Sequence, residues 1–257
     1  MRQHPGAVDS TYIGGTDVSN TSEPRLKTLS GLKRPRDAPW GLSPSDFAFL
    51  WDDCPQCFYR KVVQKEPRPR APFPSVFGRI DRAMKDFYLG KRAESLAEGM
   101  PVGVIGGGDR WVKSAPFALP GSAGTGVIRG KVDVLVECDD GSLGVVDFKT
   151  TIPMPDHVAT YSRQVHAYAW ALEHPASGPA AEVGALGLLC FLPDSYEARG
   201  DHAGLYGNVE WIGVPRDDEA FVRFLIEVVG VLNGSDPPPA SPNCPWCGLR
   251  EPQCVAA

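Results

Sequence analysis

A chain of 257 residues with 42% apolar content can bury one substantial core. Its formal charge of -5 excludes a molecule that is basic all over, so any nucleic-acid contact needs a local patch of cations. The first residues lack the apolar centre of a secretory leader, and no window reaches the roughly eighteen apolar residues of a membrane span. A cytoplasmic protein with no membrane partner is expected.

Residues 1–37 are rich in Gly, Ser, Thr, Pro and charge without periodicity, and read as a flexible N-terminal arm. Order is expected from 38 to 235 as one domain. In "LSPSDFAFLWDDCPQCFYRKVV", Ser43 or Ser45 can cap a helix on which Phe47, Leu50 and Trp51 share a face, bringing Cys54 and Cys57 to one side of its end. Arg60, Lys61, Lys65, Arg68, Arg70, Arg79, Arg82, Lys85, Lys91 and Arg92 then outnumber Glu66, Asp81 and Asp86. That stretch is either a phosphate-tracking patch or an ordinary solvated face. Ile80, Met84 and Phe87 predict a second helix closed by Gly90.

Residues 93–126 show no regular pattern. A hairpin follows, then a helix in "HVATYSRQVHAYAWALEH", a buried strand in "VGALGLLCFL", a late strand in "WIGVPRD" and an amphipathic helix in "EAFVRFLIEVVGVLN". This order predicts an α/β or α+β domain, a mixed central sheet flanked by helices. Residues 236–257 read as a Pro-rich linker and a cysteine segment that packs back on the domain.

The hairpin "GKVDVLVECDDGSLGVVDFKTT" places Asp133, Asp147 and Lys149 inside apolar strands. Asp147 and Lys149 share a face because side chains alternate. A two-residue loop at Asp140-Gly141 would put Asp133 on the opposite face. A three-residue loop, Asp139-Asp140-Gly141 with a left-handed glycine, pairs Asp133 with Asp147, and this register is the expected one. Two carboxylates opposed across a ladder repel unless a cation lies between them, which points to Mg²⁺ or Mn²⁺.

"GKVDVLVE", "GVVDFKTT" and "YSRQVHAYAWAL" together resemble the RecB-like branch of the PD-(D/E)XK nuclease superfamily, with its GxxD, DxK and QxxxY elements in order. "LSPSDFAFLWDDCPQCFY" resembles that branch's opening helix, so the likeness runs from about residue 42 to the C-terminus. It implies a restriction-endonuclease-like fold. Asp133 and Asp147 would bind the metal with help from the Phe148 carbonyl, Lys149 would be catalytic, and Gln164 and Tyr168 would face the substrate backbone. Many members carry a histidine where Arg82 stands here; Asp81, just before it, is the candidate extra metal ligand.

Cys54 with Cys57 and Cys244 with Cys247 form two CxxC pairs, and Cys254 follows in "CGLREPQC", whereas Cys138 and Cys190 read as core residues. Two such pairs suggest a tetrahedral zinc site. The resemblance to CRISPR-associated and AddB-type nucleases implies instead a [4Fe-4S] cluster on Cys54, Cys244, Cys247 and Cys254. In either case the thiolates would clamp the two ends of the domain together. The expected function is hydrolysis of DNA phosphodiester bonds on single strands or ends, in repair, phage or defence processes, with a helicase or other protein as a further partner. The alternative is a catalytically silent nucleic-acid-binding or scaffold subunit.

Overall fold

The computed structural model describes residues 38–69, 74–119, 124–150 and 155–249. The expected arm and Cys254 lie outside the described residues.

β1 (Trp40–Leu42) leads into two short helices, α1 (Pro44–Asp46) and α2 (Pro55–Tyr59), each opened by a proline and each widening into a π-helical turn, Phe47–Trp51 and Arg60–Gln64. The single helix expected here is therefore broken. Pro55 drives Cys54 out of the helical region, to φ -167 and ψ 104. Ser43 stands at the α1 N-cap, but its hydroxyl meets Ser45 Oγ at 3.0 Å and caps nothing.

α3 (Ser75–Tyr88) forms where expected, and Gly90 takes the left-handed backbone (φ +76) after it. Met84 is buried, but Phe87 faces solvent. The segment with no regular pattern holds three strands too short for alternation to show: β2 (Gly103–Ile105), β3 (Arg110–Lys113) and β4 (Phe117–Ala118). β5 (Thr125–Val132), β6 (Val134–Cys138) and β7 (Leu143–Lys149) follow, then α4 (Pro155–Glu173), β8 (Val183–Arg199), β9 (His202–Gly213), α5 (Asp218–Asn233) and α6 (Pro245–Gly248).

The larger sheet runs β2-β6-β7-β8-β9, antiparallel except between β7 and β8, which α4 connects in parallel. In the smaller sheet β5 lies between β1 and β3, and β4 pairs with β5 as well. "GKVDVLVE" is thus two strands in two sheets. Asp133 is the bend between them.

Helices cover both faces of the larger sheet. On one, Leu135, Val145 and Leu188 pack with Val165 and Ala169 of α4 and with Phe224 and Val228 of α5. On the other, Val134, Val136, Val146 and Phe148 pack with Met84 of α3. Asp217 caps α5, accepting from the Ala220 N–H at 2.8 Å, with Asp218 and Glu219 in the first turn where the helix dipole favours negative charge. β7 is central and buried on both faces, so both its acidic residue and its valines leave solvent.

Candidate active site and cysteine centre

Val134 pairs with Val146 and Leu135 with Val145, which carries the register to Asp133 opposite Asp147. The turn is the three-residue one: the Gly141 N–H donates to the Cys138 carbonyl, the Cys138 N–H donates to the Ser142 carbonyl, and Gly141 has φ +87. Both carboxylates, Lys149, Gln164 and Tyr168 line one cavity of about 800 Å³.

Asp147 is buried, and its Oδ1 accepts from Gln164 Nε2 at 3.0 Å while Oδ2 pairs with the Lys149 ammonium. Burial pushes the Asp147 carboxyl up to about 6; the Lys149 charge opposes this and the Asp133 charge adds to it. Lys149 Nζ also lies 4.4 Å from the Tyr161 ring centre and 5.4 Å from that of Phe49, a cation held between aromatic faces. Burial raises Tyr168 to about 12, so its phenol stays protonated. The Phe148 ring packs on the opposite face of the sheet, edge-on to Tyr88 at 6.0 Å.

Asp133 is held by a lysine of the basic stretch. Lys85 Nζ lies 3.1 Å from Asp133 Oδ1, 3.0 Å from Asp81 Oδ2 and 3.1 Å from Asp109 Oδ1. Burial disfavours its charge, but Asp133 and Asp81 outweigh that and hold Lys85 protonated. Asp81 therefore reaches Asp133 through a shared ammonium. The i,i+4 spacing of Asp81 and Lys85 was the readable signal; the loop that brings Asp109 was not.

Four more cations of the basic stretch pair with acids of the same molecule: Lys61 with Asp46, Arg60 with Glu66, Arg68 with Asp53, and Arg92 with both Glu94 and Asp139. Lys61 and Lys65 line the cavity.

Cys54 precedes α2 and Cys57 lies within it; Cys244 and Cys247 hold the same positions on α6, each pair straddling a Cys-Pro step. All four are buried and their Sγ atoms lie within 4.8 Å of one another. Cys54 and Cys247 are 3.7 Å apart, Cys57 and Cys244 3.6 Å, Cys57 and Cys247 3.5 Å. Four thiols this close could hold a metal ion or cluster, and Cys57 is one of them. Burial raises the Cys54 thiol, but N–H groups of Ser241 and Cys57 outweigh it and bring the thiol down to about 6. Cys57 and Cys247 are both pushed up, first by burial. The Arg68 guanidinium donates to Cys244 Sγ at 3.6 Å. Cys190 is buried in the core, as expected, whereas Cys138 is partly exposed near the hairpin turn.

A mixed sheet with helices on both faces, an acid and a lysine on its buried central strand and a second acid at the bend opposite, is the arrangement of a nuclease-type fold. The profile of the PD-(D/E)XK nuclease superfamily matches residues 81–252, and the chain belongs to that superfamily. No curated protein matches it. Among solved structures, "Crystal structure of SSO0001" is similar at 14% identity with a TM-score of 0.43, over 77% of this chain and 79% of that one. Among the described residues no helix is long and apolar enough to cross a membrane.

Proposed function

We propose that this protein is a metal-dependent deoxyribonuclease of the RecB-like type, hydrolysing phosphodiester bonds of single strands or ends in repair, phage or defence processes. The observation that carries the reading is the register that sets Asp133 opposite Asp147 in a cavity also lined by Lys149, Gln164 and Tyr168. The donor set fits a hard cation. Both acids supply oxygen, and Asp147 Oδ2 receives no regular hydrogen bond, only the Lys149 charge. Asp133 and Asp147 would hold Mg²⁺ or Mn²⁺, with the Phe148 carbonyl as a further donor, and the ion would supply an activated water and charge neutralisation at the phosphate.

The chain's own groups do the rest. Gln164 fixes the Asp147 carboxylate through Oδ1. Lys149, held between Tyr161 and Phe49, offers an ammonium to negative charge developing on the phosphate. Tyr168, protonated at neutral pH, donates a hydrogen bond toward the strand. Asp147→Ala is expected to abolish cleavage of labelled DNA and to retain DNA binding; undiminished cleavage by that variant would end the assignment.

At the cysteines, the sulfur spacing supports one Zn²⁺. A zinc–sulfur bond of about 2.3 Å gives a tetrahedron with edges of about 3.8 Å, close to the 3.5 to 3.7 Å of three of the sulfur pairs here, with all four atoms within 4.8 Å. A four-iron cubane, with a separate iron at each thiolate, spreads its ligands farther. The ion would tie the α2 and α6 segments together.

One observation favours the silent-subunit reading. Lys85 already pairs with Asp133, Asp81 and Asp109, an ammonium standing where a metal ion would. Binding of Mn²⁺ at the hairpin, measured calorimetrically, separates the two: the nuclease requires it and the silent subunit does not.

A further inference from the structure

Among the described residues, the strongest unassigned feature lies beside the cavity, on the exposed face of the smaller sheet. In the β3–β5 ladder Trp111 pairs with Lys131 and Lys113 with Arg129. Alternation puts these four side chains on one face, while Val112, Gly130 and Val132 turn inward. Trp111 is 68% exposed, a large apolar surface left in water with three cations around it. Lys131 pairs with Asp109 at 2.9 Å. No carboxylate among the described residues pairs with Lys113 or Arg129, unlike Arg60, Lys61, Arg68, Lys85 and Arg92 of the basic stretch.

Position completes the case. Trp111 and Arg129 line the catalytic cavity and also a neighbouring one of about 610 Å³ on which Arg110 and Lys113 lie. The face therefore joins the two cavities.

We infer that this face is the strand-binding platform: one unpaired base stacks on the Trp111 indole, and Lys113, Arg129 and Lys131 hold the flanking phosphates of single-stranded DNA, feeding its backbone toward Asp133 and Asp147. An indole stacks on an exposed base face, which a single strand offers along its length and a duplex only at its ends, whereas cations alone bind either form. The platform thus sets a single-strand preference. It rests on the nuclease reading only for its purpose; the binding is testable without cleavage.

The test is fluorescence anisotropy of labelled oligo(dT) and of a duplex of equal length, without divalent metal, at two or more salt concentrations. The wild type is expected to favour oligo(dT). Trp111→Ala should weaken oligo(dT) binding about tenfold or more and duplex binding far less, with Trp111→Phe recovering most of the loss. Arg129→Gln should lower the salt slope on oligo(dT) by about 0.7. Trp111 is exposed, so circular dichroism should match the wild type. Unchanged oligo(dT) affinity in Trp111→Ala, an equal loss on both substrates, or no oligo(dT) binding by the wild type would overturn the platform. Loss of binding in Trp111→Ala alongside a wild type that cuts nothing would support the platform and remove the nuclease reading.

Discussion

Replacing Asp147 by Asn should change how the stability of the protein depends on pH. The buried carboxyl titrates at about 6 against an ordinary 3.8. Because the folded form binds the proton more tightly, the penalty is absent well below pH 4, grows as pH rises to about 6, and is constant above. At pH 7 it amounts to about 3 kcal/mol, since each tenfold change in proton affinity is worth about 1.4 kcal/mol. Asparagine carries no such charge. Between about pH 4.5 and 7 the variant should therefore gain roughly 2 kcal/mol on the wild type. The pairing with Lys149 exists only where the carboxylate is ionised and is already contained in the value of about 6, so it adds no separate pH dependence. Urea unfolding across this range, with neither Mg²⁺ nor Mn²⁺ added, measures the difference. Parallel stability curves for the two proteins would refute an ionised carboxylate buried at this position.

If the cysteines hold zinc as proposed, Cys57→Ser should lose it, read by metal analysis, together with much of the thermal stability; a variant that kept an iron–sulfur absorption after anaerobic purification would favour the ligand set with Cys254. Lys85→Met should cost on the order of 2 kcal/mol by leaving Asp133 and Asp81 without their cation, while Asp109 keeps Lys131. Added Mg²⁺ should restore more stability to it than it adds to the wild type, seen as a larger rise in Tm. Gly108→Ala would bring a methyl to 2.5 Å from the Asp133 carbonyl oxygen, so a loss of about 1–3 kcal/mol and weaker Mn²⁺ binding are expected in unfolding and calorimetric titrations.

Much of the site was legible because its determinants are local. The Asp139-Asp140-Gly141 turn sets the hairpin register, and register alone puts Asp133 opposite Asp147. Gln164 sits one helical turn before Tyr168, so their shared direction also followed from spacing. What could not be read depends on contacts distant in sequence. Nothing in "GKVDVLVE" says that the strand changes sheets at Asp133, since the same alternation serves both sheets. Lys85 reads as one more cation until the fold sets it among three acids, two of them on other elements. Trp111 sits in a short, patternless run that assigns it no face, and only its partner strand shows that it meets water. The two CxxC pairs were legible as candidate ligands, but the place of Cys57 in the cluster needed the meeting of α2 with α6.

The central claim is that Asp133, Asp147 and Lys149 form a hydrolytic site. It is tested most directly by incubating end-labelled single- and double-stranded DNA with Mg²⁺ or Mn²⁺, and with EDTA, using the wild type, Asp147→Ala and Lys149→Ala. Products that need the metal, favour the single strand and vanish in both variants are expected. Cleavage that persists in EDTA or in either variant, or no cleavage of any substrate by the wild type, would contradict it.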